Sequence, residues 1–113
     1  LDQGIHFGLG TDNKPYSPFP TIWAAVERQE RVTNEVLGPS QILSRREALK
    51  AITMGGAYFS FEENCRGSLE TGKLADLAVL SDDYLRVPAD EISELHSVLT
   101  IVGGQEVYSS GAL

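Results

Sequence analysis

The chemistry this sequence can carry centres on one carboxylate, Asp12, at the end of Gly8-Leu9-Gly10-Thr11-Asp12. The apolar run before it, Gly4-Ile5-His6-Phe7, is short, glycine-punctuated and β-compatible, and it predicts a buried strand that ends in a turn. Asn13-Lys14-Pro15 and Pro18-Phe19-Pro20 cannot continue a strand, so Asp12 is left on a loop mouth at the strand's C-terminal end. In parallel α/β architectures the loops leaving that end converge on the binding crevice and carry reactive groups on a rigid scaffold. The same residues also suit plain turn chemistry, in which an Asp side chain bonds nearby backbone amides. Local sequence supports both readings.

The other reactive residue types form no constellation. His6 and His96 are the only histidines and lie far apart in the chain, and each reads as an ordinary satisfied side chain. Cys65 has no CxxC partner and only Arg66 as a charged neighbour, which does not make a catalytic thiol. There is no G-x-S-x-G, and Gly8-x-Gly10 lacks the third glycine of a dinucleotide fingerprint. Asp82-Asp83 lacks the alternating oxygen ligands and closing glutamate of a calcium loop, and reads as a strand-terminating turn. A metal site needs three or four ligands, whereas this chain offers one carboxylate and no converging histidines. Alone, it contains no complete active site.

Composition narrows the class further. At 113 residues, 42% hydrophobic and 22% charged, the chain is an ordinary folding sequence with material for one core. Its 16 acidic residues against 9 basic ones give a net charge of −7, and no basic cluster exceeds Arg45-Arg46. That charge repels phosphate backbones, so nucleic acid is not an expected partner. The single cysteine permits no internal disulfide, and no charged segment leads into a signal-like apolar run, which points to a reducing, cytoplasmic setting. No apolar run is long enough to span a membrane. Leu1 is not an initiator methionine and stands only a few residues before the first strand, which reads as a cut.

Several elements must position Asp12. Ile22, Trp23 and Val26 share one helical face, with Thr21 as the expected N-cap and an end near Arg31 to Asn34, before the break at Gly38-Pro39. Ser44-Arg45-Arg46-Glu47 is a capping box that starts a second helix, its apolar face formed by Ala48, Leu49, Ile52 and Ala51. Gly55-Gly56 supply the φ > 0 freedom expected at that helix's end, and Ala57 to Phe61 is either a short helix or its continuation. Gly67 and Gly72 bracket a tight excursion before Ala75 to Leu80, a strand with little alternation and so expected to be covered on both faces. Tyr84 to Val87 is a further strand candidate, and Pro88 to Ile92 a proline-initiated helical turn. Ser97 to Val102 and Gln105 to Tyr108 flank Gly103-Gly104 as a hairpin.

Four motifs in order give the chain a resemblance. They are Gly10-Thr11-Asp12 with its proline-rich loop; Leu43-Ser44 with Glu47-Ala48-Leu49 and Thr53; Gly67-Ser68-Leu69-Glu70-x-Gly72-Lys73-x-Ala75-Asp76-Leu77-x-Val79-Leu80; and Thr100-Ile101-Val102-Gly103-Gly104-x-x-Val107-Tyr108. Over nearly its whole length the chain resembles the C-terminal portion of a metal-dependent amidohydrolase of the amidohydrolase-3 branch.

The resemblance implies an α/β fold. Residues 1–66 would be the end of a (β/α)8 barrel, with Gly4 to Thr11 as strand 8 and helices after it, and residues 67–113 a segment of the accompanying small β-sandwich. It implies that Asp12 is both catalytic, shuttling a proton, and a ligand of a divalent metal, usually zinc, in an enzyme that hydrolyses amide-like C–N bonds of a small-molecule substrate. The family's His-x-His, its bridging lysine or acidic residue and its later histidines have no counterpart here and should lie upstream. No stoichiometric metal is therefore expected in this piece alone. Its bare strand would be covered by self-association, by the missing barrel or by rearranged packing. The competing expectation is a stand-alone α+β structural or self-association module in which Asp12 is only a turn residue.

Overall fold

The computed structural model describes residues 3–12 and 16–112. Helix α1 spans Phe19–Glu27 and begins two residues before Thr21, so the expected Thr21 cap is not used. Pro18 already holds a right-handed helical conformation, and Pro20 sits in the first turn, where a missing N–H costs no helical bond. The helix also stops early, at Arg28, whose left-handed φ of 49° lets its N–H bond the Ala24 carbonyl. Glu30 explains why the next residues turn away: its carboxylate accepts from the backbone N–H of Val32 at 2.8 Å and Thr33 at 2.6 Å. Those donors, Thr33 foremost, hold the Glu30 carboxyl below its ordinary range.

Helix α2, Arg45–Lys50, opens on the expected capping box. Ser44 Oγ accepts from Glu47 N–H at 3.3 Å, and Glu47 Oε2 accepts from Ser44 N–H at 2.8 Å. The expectation that Gly55-Gly56 ends this helix is overturned. Both glycines are right-handed, at φ −60° and −59°; the helix widens into a π-turn over Ala51–Gly55 and runs on as α3, Gly56–Phe59. Gly55 answers a steric need instead, since a Cβ there would stand 2.6 Å from the Phe7 carbonyl oxygen and 2.9 Å from Gly8 Cα.

Beyond α3, Gly67 turns the chain at φ +94°, with room for no side chain against Ala57 Cβ. A three-stranded antiparallel sheet follows in the order β1 (Leu77–Leu80), β2 (Ser97–Val102), β3 (Gln105–Ser109). Gly103 and Gly104, at φ 57° and 81°, make the expected two-residue hairpin, and Gly103 N–H donates to Asp76 Oδ1 at 2.7 Å, pinning the hairpin to the start of β1. β1 is not covered on both faces as expected, since Val79 remains 36% exposed. Tyr84 to Val87 is a turn and not a strand. The Asp83 carbonyl accepts from Arg86 and Val87 N–H while its side chain accepts from Leu85 N–H, and these local bonds outcompete a ladder. A 3₁₀ helix, Ala89–Glu94, leads back into β2.

The core gathers Phe19, Ile22, Ala48, Tyr84, Val87, Ile92 and Leu95, so α1 and α2 pack against the segment between β1 and β2. Residues 4–11 form no ladder with any strand among the described residues, contrary to the strand expected there. The sheet this chain builds is antiparallel and lies elsewhere, so the segment satisfies its backbone on the helix: Leu9 N–H donates to the Ala51 carbonyl at 3.3 Å. Ile5 stays 71% exposed. Among the described residues no helix is long and apolar enough to cross a membrane.

Candidate functional site

Asp12 ends a segment that is tied down just before it. Leu9 packs on the core and bonds Ala51, while Gly8 lies against Gly55 and the Phe59 ring. Thr11 is half-buried and Asp12 is exposed, at a left-handed φ of 55° that Asp tolerates better than most residues. The carboxylate therefore stands free of the packed body on a backbone anchored three residues earlier. The loop residues Asn13 to Pro15, part of the proline-rich motif, lie outside the described residues.

The other residue types capable of chemistry stay apart. His6 is exposed and stacks on Tyr58, ring centroids 4.0 Å apart and planes 11° from parallel. His96 is exposed at the turn into β2, its Nδ1 3.3 Å from the Glu94 carbonyl oxygen and its backbone N–H donating to Ser81 Oγ at 3.3 Å. Cys65 is exposed, with Sγ directed at the Glu62 carbonyl. Asp82 accepts from the N–H of Asp83 in a turn. Among the described residues no three His, Cys, Asp or Glu side chains converge on a point that could hold a metal ion. Asp12 offers one carboxylate, which does not by itself fit a metal site of three or four ligating side chains.

Two features were not foreseen from sequence. Lys73 Nζ donates to Ser68 Oγ at 2.7 Å and pairs with Glu70 at 3.0 Å, while Ser68 Oγ donates to Glu70 Oε2 at 2.7 Å. The Ser68 hydroxyl and the Lys73 ammonium hold the Glu70 carboxyl below its ordinary range. This knot closes the excursion between Gly67 and Gly72 and brings Lys73 against Met54 of the π-turn. The second feature is an open groove of about 340 Å³ between Ile5 to Phe7 and the helix, floored by Ala51, Met54 and Gly55 and walled by Tyr58. It lies toward the start of the segment that ends at Asp12, and its only sequence signal was the small residue at position 55 beside Met54.

Comparison with known proteins gives this geometry a context. The amidohydrolase family matches residues 1–108. The chain is 35% identical over 106 residues to the N-substituted formamide deformylase of Arthrobacter pascens, covering 92% of this chain and 19% of that protein. It is 36% identical over 111 residues to the protein LONG AFTER FAR-RED 3 of Arabidopsis thaliana, covering 96% and 19% respectively. The chain thus spans about one fifth of the length of these relatives. No solved structure matches it.

Proposed function

Because the chain belongs to the amidohydrolase family, we propose that it is the C-terminal portion of a metal-dependent hydrolase of amide-like C–N bonds, with Asp12 as its acid–base carboxylate and its one metal ligand. The observation that carries this reading is the family match across residues 1–108, with Asp12 held at the free end of an anchored segment. In this reading residues 4–11, which form no ladder among the described residues, become the last strand of a (β/α)8 barrel only when the rest of the barrel lies beside them, and residues 67–113 join the accompanying sandwich. The remaining donors come from residues outside this chain. The backbone edge at residues 4–7 is covered by the rest of the barrel or by a second copy.

In the intact protein Asp12 would hold a divalent metal, zinc by the resemblance, together with donors outside this chain, and that metal would lower the pKa of bound water toward neutrality. Asp12 takes a proton from the attacking water as its oxygen bonds the carbonyl carbon, then gives that proton to the nitrogen as the C–N bond breaks. One exposed carboxylate on a left-handed turn can serve both transfers, because it faces solvent while its backbone is fixed through Leu9 and Gly8.

The test is a substrate panel of N-substituted formamides, acetamides and ureas offered to the intact, full-length protein. The expected result is free amine released in step with the acyl product, formate, acetate or carbon dioxide, from at least one class. No C–N cleavage in any class with metal bound would contradict the proposal.

A further inference from the structure

The contact between the π-turn and the segment bearing Asp12 carries a positioning role for a residue far from the carboxylate in sequence. Gly55 and Gly56 are adjacent, both helical, and yet sterically unlike. A Cβ on Gly55 would fall 2.6 Å from Phe7 O and 2.9 Å from Gly8 Cα, both backbone atoms that no rotamer change can move. A Cβ on Gly56 would meet nothing within 4 Å. Gly8 is tight from its own side, where a Cβ would stand 3.3 Å from Gly55 C and from two Phe59 ring atoms. At this crossing the π-turn also offers the Ala51 carbonyl, which accepts the Leu9 N–H at 3.3 Å. π-turns are uncommon, and their wider ring redirects carbonyls that a regular helix keeps for itself. The two backbones therefore meet at glycine-limited distance, with one hydrogen bond fixing register, three residues before Asp12.

We propose that Gly55, through Gly8 and the Leu9 to Ala51 bond, is a positioning residue that sets where Asp12 stands, and this rests on the reading of Asp12 as the acid–base carboxylate. A methyl group at position 55 must push residues 7 and 8 outward, which strains the adjacent Leu9 bond to Ala51, the anchor from which the chain runs three residues to Asp12. Displacing a reacting group by about 1 Å costs on the order of 10²-fold in rate. Substrate binding, by contrast, changes little.

The experiment compares Gly55→Ala with Gly56→Ala in the intact protein, so that both variants carry the same glycine-to-alanine gain in helix propensity. Hydrogen exchange of residues 5–12 is followed by mass spectrometry, and kcat and KM are measured on p-nitroformanilide well below each variant's unfolding temperature. Expected for Gly55→Ala are faster exchange across residues 5–12 and a kcat reduced about tenfold or more with KM nearly unchanged. Gly56→Ala should match wild type in both. Equal exchange of this segment in the two variants overturns the proposal, as does a Gly55→Ala enzyme with wild-type kcat. If Gly55→Ala fails to fold, Gly8→Ala applies a milder push across the same contact and must show the same pattern. Asp12→Asn, run in parallel, separates the two levels: wild-type turnover there removes the catalytic reading, whereas an inactive Asp12→Asn beside a fully active Gly55→Ala removes only the role of Gly55.

Discussion

Arg45 and Tyr84 hold each other by exchange. The Tyr84 hydroxyl donates to the Arg45 carbonyl at 2.7 Å, and Arg45 Nη1 donates to the Tyr84 carbonyl at 2.7 Å. The pair joins the first residue of α2 to the turn after β1, across a core in which Tyr84 is only 4% exposed. It links the helices that follow Asp12 to the segment between β1 and β2.

Tyr84→Phe keeps the ring's packing but removes the hydroxyl's bond to the Arg45 carbonyl, and should cost about 1 kcal/mol in a urea series. Burial lifts the Tyr84 phenol above its ordinary range, with the Arg45 charge partly opposing. A raised folded pKa means that the contribution is whole below the unfolded tyrosine's pKa and is lost as pH rises through the higher folded value. Wild type should therefore lose stability above about pH 10 more steeply than Tyr84→Phe. Parallel alkaline profiles would contradict this.

Ser44→Ala removes half of the capping box and should cost on the order of 1 kcal/mol. The Ser44 hydroxyl and backbone are also what hold the Glu47 carboxyl below its ordinary range, so its titration should move back up in the variant. A depressed carboxyl contributes stability above its unfolded pKa and loses it as pH falls through the folded value. Acid unfolding of Ser44→Ala should accordingly depend less on Glu47. A Glu47 titration by NMR that is identical in both proteins would mean that the box is not formed.

What was legible in the sequence was what neighbouring residues decide among themselves. Ser44 and Glu47 are three apart and satisfy each other, and Gly103-Gly104 supplies the two positive φ values its hairpin requires, so both were readable locally. Gly55 was misread because its reason lies at Phe7 and Gly8, distant in the chain and invisible to any local rule. Tyr84 to Val87 has strand-like composition, yet the Asp83 carbonyl and side chain claim its N–H groups first. Asp12 is singled out in the sequence by its place after an apolar run. What anchors that run, a helix carbonyl at Ala51 and not a neighbouring strand, is set by tertiary packing alone.

The apolar surface left on this chain makes association testable. Ile5 is 71% exposed and Phe61 90%, and residues 4–7 present backbone without a ladder. Expressed as these 113 residues, the chain should self-associate at micromolar concentration and bind an apolar dye. A monomer by light scattering without dye binding would contradict the pairing proposed for this edge.

In the proposed reaction Asp12 carries the proton. Asn has nearly the same shape but can neither accept a proton from water nor bring negative charge to a metal. The most direct measurement is kcat for Asp12→Asn in the intact, full-length protein on its best amide substrate, with metal content determined on the same sample. A fall of about 10²–10⁴ in kcat is expected from loss of the acid–base group, with any loss of metal adding to it. Near-wild-type turnover with full metal occupancy would contradict it.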